Sequence, residues 1–200
     1  MALFALAALP QVTWAQAPGK IYRIGWLGVE PPDANTPYTP AWVRDMATHG
    51  WILDKNLVVI YRYTDRMERL PELAAELVRL NVDVIVAFAA PQTEAAKRAT
   101  STIPIVFMVH GDPVGRGAVA SLARPGGNVT GGSQMLPELC VKRLQLLREL
   151  LPGALRIAVL WNNANPAKLR DWEVTQQAAR DLAVILEPCH FTGPDVLQGA

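Results

Sequence analysis

The sequence alternates short apolar runs with amphipathic stretches, and this alternation is the feature that most constrains the fold. Two runs, VDVIVAFA at 82–89 and IPIVFMV at 103–109, are almost wholly apolar, which predicts strands buried on both faces. Less continuous runs at 20–27 and 57–63 predict two further strands. Helical patterns separate these four strands, so the sequence predicts an α/β fold with a parallel sheet covered on both faces.

Three segments between the strands have the pattern of helices. From Leu70, apolar residues recur at i, i+3, i+4, i+7 and i+8, which predicts an amphipathic helix with a proline in its first turn. The segments AWVRDMATHG, ending at Gly50, and PQTEAAKRATS, beginning with Pro91, predict the other two. Ligands of such sheets bind beyond the carboxyl ends of the strands. The loops expected to form the site are 28–38, 89–93 and 110–116.

Composition favours a globular chain without a strongly charged surface. Half of the 200 residues are apolar, and the formal net charge is +1. This balance gives no electrostatic reason to expect nucleic acid as a partner. Cys140 and Cys189 are too few for a disulfide framework and are expected to be small buried hydrophobes.

Residues 1–17 are predicted to be a signal peptide. An apolar stretch of about ten residues precedes Ala15-Gln16-Ala17, which has the small-x-small pattern of a cleavage site. The stretch is too short to span a bilayer, which takes roughly 20 residues. We therefore expect export to the periplasm without stable membrane insertion; the alternative is a buried N-terminal helix.

The strand and helix pattern restarts after a glycine-rich stretch. Strands are predicted at RIAVLW, 156–161, and at AVILEP, with a helix before each of them. The boundary between a first unit, 18–129, and a second, 130–200, is expected in PGGNVTG, which offers a flexible crossing. Two strands are few for an ordinary domain, so the second unit is expected to be incomplete and the chain a fragment.

The motifs of common enzymes are missing or misplaced. Gly115-x-Gly117-x-x-Ala120 has the form of a dinucleotide fingerprint, but it follows the fourth predicted strand, and the helix it would open stops within two turns. The sequence has no Gly-x-Ser-x-Gly elbow, and its three histidines have no metal-ligand spacing. We expect no catalytic residues, no metal and no cofactor; an NAD(P)-dependent Rossmann enzyme stays as an alternative.

The stretch HGDPVGRGAVASLARPGGNVTG, 110–131, resembles the signature of a bacterial family of ABC-transporter substrate-binding proteins. RLPELAAELVRLNVDVIVA, AAKRATSTIPIVF and RIAVLWNNANP are similar to pieces of that family in the same order. The resemblance covers about residue 20 to the end. It implies the type I periplasmic-binding-protein fold, in which two Rossmann-like lobes with parallel sheets close on a ligand, the second lobe being incomplete here.

The resemblance also implies a function. Family members capture a small organic molecule, such as an aromatic amino acid or a related compound, and deliver it to ABC permease subunits. The implied protein is not an enzyme. A ligand-sensing domain of the same fold is the alternative. The glycine-rich crossing would then be a hinge, formed by Gly126, Gly127, Asn128, Val129, Thr130 and Gly131.

Candidate ligand-binding residues follow from the predicted cleft. The N–H groups at the start of the Pro91 helix suit a carboxylate, and the alternative is a plain strand-to-helix turn. Asp112 either binds a ligand ammonium or caps a turn. Asn162 and Asn165 either contact the ligand from the second lobe or form an Asx turn. Trp26, Tyr38 and Trp161 either stack on a ligand or pack in the core. The full set of expected ligand-binding residues is Gly28, Glu30, Ala89, Ala90, Pro91, Gln92, Thr93, His110, Asp112, Asn162 and Asn165.

Overall fold

The computed structural model describes residues 19–29, 38–163 and 168–191. The predicted signal peptide, Glu30, Asn165 and the side chain of Tyr38 lie outside the described part of the chain. No helix among the described residues combines the length and the apolar character that crossing a membrane requires.

Seven strands and five helices make up the described structure, with a short 3-10 turn at Met67–Arg69. In chain order they are β1 (Tyr22–Gly28), α1 (Tyr38–Thr48), β2 (Leu57–Tyr63), α2 (Leu70–Arg79), β3 (Val84–Ala87), α3 (Ala90–Ala99), β4 (Ile105–His110), β5 (Val129–Ser133), α4 (Leu136–Leu150), β6 (Arg156–Asn162), α5 (Leu169–Asp181) and β7 (Ile185–Phe191).

The first sheet has five parallel strands in the order β2-β1-β3-β4-β5. Strand β1 pairs with β2 on one side and with β3 on the other, so the direction of winding reverses between β1 and β3. Such a reversal leaves a crevice at the carboxyl ends of the strands. The predicted α/β fold with a parallel sheet is confirmed.

Helices cover both faces of this sheet. On one face, α2 buries the apolar stripe that the sequence predicted, with Leu73 and Leu77 at 5% and 0% exposure. On the other face, Trp42 of α1 packs edge-on against Trp26 of β1, with ring centroids 5.3 Å apart. Trp26 is therefore a core residue. Helix α1 begins earlier than predicted, at Tyr38, because a proline is compatible with the first turn of a helix.

Strand β5 corrects the predicted boundary between the units. Val129 pairs with Ile105 and Gly131 with Phe107, so the expected boundary at 129/130 falls inside a strand of the first sheet. Of the expected hinge residues, Val129, Thr130 and Gly131 are strand residues bonded to β4. The sequence NVTGGS lacks the continuous apolar run that is typical of a buried strand, so β5 is recognised only from its pairing with β4. The first sheet ends at Ser133.

The second unit consists of the parallel pair β6–β7 with α4 and α5 on one face. Its small core contains Leu144, Ala178, Ala179 and Val184. The opposite face carries exposed apolar side chains. The cysteines depart from expectation, since Cys189 is exposed and Cys140 only half-buried.

Candidate functional site

A cleft of about 640 Å³ lies between the carboxyl edge of the first sheet and the second unit. The first unit contributes the loops after β3 and β4 and the outer face of α3, and the second contributes the end of β6 and the start of α5. The lining residues are Met67, Leu70, Ala89, Ala90, Pro91, Glu94, Arg98, Val109, Gly111, Asp112, Arg116, Gln134, Leu136, Asn162, Lys168 and Asp171.

The β3–α3 junction forms one wall of the cleft. Ala89 is extended, with φ −142° and ψ −172°, and α3 starts at Ala90 with Pro91 in its first turn. Ala89, Ala90 and Pro91 all line the cleft, as the sequence predicted. The small side chains let a ligand approach the first turn of α3, whose leading N–H groups have no partners within the helix.

Gln92 and Thr93 lie behind this wall rather than in it. Their exposed fractions are 1% and 0%. The Thr93 hydroxyl donates a hydrogen bond of 2.8 Å to the carbonyl of Ala89, so it supports the wall from inside. Both polar atoms of the Gln92 amide are buried without a hydrogen-bond partner among the described residues. Direct contact between these two side chains and a ligand therefore requires local rearrangement.

The loop after β4 is a hydrogen-bonded turn. The Asp112 carboxylate accepts a bond of 2.7 Å from the N–H of Gly115, and the Asp112 carbonyl accepts one of 3.2 Å from the N–H of Arg116. Asp112 thus caps the turn, which was the alternative to ligand binding in the sequence analysis. It also lines the cleft. Gly117 has a φ of +68°, and the residues that follow it form bends rather than a helix. Gly115 and Gly117 therefore lie in a turn, without the helix that a dinucleotide fingerprint opens.

His110 is buried at the base of the same turn, with 1% of its surface exposed. Its Nδ1 accepts a hydrogen bond of 3.2 Å from the N–H of Asp112, and its ring packs edge-on against Phe107. Burial, and then the charge of Arg116, lower the pKa of His110, while Glu94 and Asp112 act in the opposite direction. At neutral pH the imidazole is therefore in its neutral form.

Sequence reasoning identified Asp112 but missed the other charged residues of the cleft. Arg116 and Glu94 form an ion pair, with Nε and Oε1 2.9 Å apart, and Lys168 pairs with Asp171 at 3.1 Å. Arg116 and Glu94 stand 22 positions apart on different elements. The only signal in the sequence is the location of Arg116 in an expected ligand loop.

The second unit meets the cleft at the end of β6. Asn162 lines the cleft, as predicted. The neighbouring Trp161 stacks on Trp172 with ring centroids 5.1 Å apart, and its Nε1 is buried without a partner among the described residues. Both tryptophans line an adjoining cavity of about 580 Å³. Burial raises the pKa of the Cys140 thiol in that cavity, with a further contribution from Asp171.

The remaining candidates have structural contacts. Gly28 ends β1 and is buried, and its carbonyl accepts a hydrogen bond from the N–H of Thr64. The Asn128 amide donates to the carbonyls of Thr100 at 3.2 Å and Ile103 at 2.8 Å, which ties the start of β5 to the first unit. Neither residue lines the cleft.

Residues 54–192 match the family model described as ABC transporter substrate binding protein. The chain belongs to this family. The resemblance carried by the stretch 110–131 is thereby confirmed, and the family is one of substrate-binding proteins rather than enzymes.

Relatives with solved structures share the fold. A conserved domain protein from Vibrio cholerae is 27% identical with a TM-score of 0.76, covering 90% of this chain and 61% of that one. The ABC domain in complex with L-Trp from Streptococcus pneumoniae is 23% identical with a TM-score of 0.71, covering 88% and 59%. A ligand-free, open substrate binding protein with adhesive properties from Clostridium difficile is 25% identical with a TM-score of 0.65, covering 90% and 61%.

A curated relative, the tyrosine-binding protein of Clostridioides difficile, is 39% identical over 98 residues, which are 49% of this chain. The chain spans 28% of that relative's length and about 60% of the length of the solved structures.

Proposed function

We propose that this chain is an extracytoplasmic solute-binding protein. It captures an aromatic amino acid, or a closely related compound, in the cleft between its two units for delivery to an ABC transporter permease. The observation that carries the proposal is the cleft at the carboxyl edge of the parallel first sheet, in a member of a substrate-binding family.

The charges of the cleft suit a zwitterion. Three cationic and three anionic side chains line it, so it has no net preference for an anion or a cation. In our proposal the ligand carboxylate lies against the start of α3 and beside Arg116, where N–H groups and a guanidinium converge. The ligand ammonium lies beside Asp112, whose second carboxylate oxygen is not used in the turn.

The apolar part of the cleft suits a ring. Val109, Leu70 and Leu136 line it, and the stacked Trp161–Trp172 pair borders the adjoining cavity. An aromatic side chain gains both burial and stacking in such surroundings. Relatives named for tyrosine binding and solved with L-Trp support the same class of ligand.

Calorimetry tests the ligand class. We expect L-tyrosine or L-tryptophan to bind, L-leucine to bind at least about tenfold more weakly, and tyramine, which lacks the carboxylate, to lose the charge-assisted bonds at α3. Equal affinity for L-leucine would contradict an aromatic site, and equal affinity for tyramine would contradict a carboxylate site at α3.

A substitution at Ala89 tests the location. The extended backbone at Ala89 accepts any side chain, so Ala89→Phe fills the cleft without backbone strain. We expect it to weaken ligand binding at least about tenfold. Ala47→Leu, on the exposed side of α1, is the matched control and is expected to bind normally. Unchanged affinity in Ala89→Phe would place the ligand elsewhere.

Export is the proposed route to the envelope, supported by the pattern of residues 1–17. N-terminal sequencing of protein recovered from the envelope fraction is expected to begin at Gln16 or Pro18. Recovery from the cytoplasm alone, with Met1 intact, would contradict it.

Delivery to a permease distinguishes transport from ligand sensing by the same fold. We expect deletion of the gene to reduce uptake of the radiolabelled ligand and re-expression to restore it. Unchanged uptake together with a ligand-dependent change in gene expression would favour the sensing domain.

A further inference from the structure

His110 uses one ring nitrogen in a way that depends on its protonation state. Its Nδ1 accepts the N–H of Asp112, and only an unprotonated ring nitrogen accepts a hydrogen bond. The neutral ring therefore carries its proton on Nε2. Protonation would place an Nδ1–H against the N–H of Asp112, so that two donors would face each other. The bond between His110 and Asp112 exists only in the neutral form.

The residue that donates this hydrogen bond to His110, Asp112, itself lines the cleft. Asp112 organises the turn through its bonds to the N–H groups of Gly115 and Arg116. The turn presents Asp112 and Arg116 to the cleft, and Arg116 is paired there with Glu94. His110 is buried and does not line the cleft, but its protonation state affects the turn that positions Asp112 and Arg116 in the cleft wall.

We propose that neutral His110 is a positioning residue, whose Nδ1 holds the Asp112–Arg116 turn in the shape that binds ligand, so that protonation of His110 weakens binding. The weakening of binding rests on the proposed function. The effect on the turn does not.

The charged groups that face His110 come from two elements. The turn supplies Arg116 and Asp112, and α3 supplies Glu94. Because Arg116 and Glu94 are paired with each other, their opposite effects on the imidazole partly cancel. Burial is the largest influence, and it places the pKa of His110 below the ordinary value of 6.5. The turn is therefore intact at neutral pH, and its release requires a pH below the ordinary pKa of histidine.

Two substitutions separate positioning from packing. In His110→Asn, the side-chain oxygen replaces Nδ1 as an acceptor that does not titrate in this range. In His110→Phe, the ring contact with Phe107 is retained but the acceptor is lost. His49→Asn, at the exposed end of α1, removes a histidine remote from the cleft and is the matched control.

The first measurement needs no ligand. Nitrogen-15 NMR of the histidine rings is expected to find His110 as the Nε2–H tautomer at pH 7.5, and the amide signals of Asp112 and Gly115 are expected to shift as His110 titrates. An Nδ1–H tautomer at pH 7.5, or turn amides that do not respond to the titration, would overturn the proposal. This result stands even if no amino acid binds, in which case only the proposed function fails.

The second measurement is the affinity for L-tyrosine and L-tryptophan between pH 7.5 and the pH at which the ring signals show His110 to be protonated. We expect roughly a three- to tenfold loss in the wild-type chain, the worth of about one hydrogen bond. The control His49→Asn should lose as much, whereas His110→Asn should stay within about twofold and His110→Phe should bind weakly throughout. The same pH dependence in His110→Asn as in the wild type would overturn the proposal, as would wild-type affinity that does not change while His110 titrates.

Discussion

Gly131 lets β5 approach β4 closely, because any other residue at this position would place a Cβ against the β4 backbone. Its φ is +154°, and a Cβ at this position would stand 2.1 Å from the carbonyl oxygen of Phe107. That oxygen belongs to the backbone of a buried strand, so it has little room to move. We expect Gly131→Ala to lower the free energy of unfolding by about 2–3 kcal/mol or more, measured by urea denaturation.

Gly127→Ala is the control for this prediction, because no heavy atom lies within 4 Å of the Cβ it would add. It is expected to be neutral or slightly stabilising. Equal stability of the two variants would mean that β5 is not held against β4 as described.

His110 also makes the stability of the fold depend on pH. Because its pKa is lowered in the folded state, the unfolded chain binds a proton at a pH where the folded chain does not. The stability from the neutral ring is complete above the ordinary value of 6.5, falls as the pH decreases through it, and levels off below the folded pKa.

Urea denaturation at pH 7.5 and 5.5 measures this contribution of His110. We expect the loss of stability between the two values to be smaller in His110→Asn than in the wild-type chain. An identical loss in both would assign the acid sensitivity to other groups.

At the scale of elements, helix α2 holds the first unit together through its buried stripe. Leu77 is fully buried and lies directly over Gly25 of β1, where an added Cβ would stand 2.9 Å from Cδ2 of Leu77. Gly25 thus provides the space that lets the helix approach the sheet. We expect Leu77→Ala to cost about 2–5 kcal/mol of unfolding free energy, since it leaves a cavity in a packed core.

Leu80 at the end of the same helix is the matched control, with 37% of its surface exposed. Leu80→Ala is expected to cost less than about 1 kcal/mol in the same denaturation experiment. A similar cost for both leucines would contradict the orientation of α2.

At the scale of the whole molecule, the two units are unequally protected from water. The β6–β7 pair is covered by helices on one face, whereas Leu160 and Ile185 on the other are 60% and 56% exposed. The described part of the chain places no element over that face. Exposed apolar strands of this kind promote association between chains.

We therefore expect concentration-dependent self-association in sedimentation velocity experiments. The double substitution Leu160→Lys and Ile185→Lys should reduce it, because the added charges repel a second copy. Leu122→Lys, at a residue 51% exposed in the first unit, should leave it unchanged. Association unaffected by the double substitution would place the contact elsewhere.

The sequence by itself determined the elements of this protein other than β5, and the edge of the first sheet where the cleft lies. Apolar runs and the 3.6-residue stripe of α2 reflect local burial, which is encoded over a few neighbouring residues. The rule that ligands lie beyond the carboxyl ends of parallel strands then predicted Ala89, Pro91 and Asp112 as cleft residues, and all three line the cleft.

Only the tertiary structure decided which residues meet. Strand β5 has a glycine-rich sequence with weak strand propensity, and it forms because β4 offers an unpaired edge. Gln92 falls in a predicted ligand loop, yet the packing of α3 turns it inward. The pairing of Arg116 with Glu94 joins residues 22 positions apart. Contacts between distant segments depend on how whole elements pack, and local sequence patterns carry no information about that geometry.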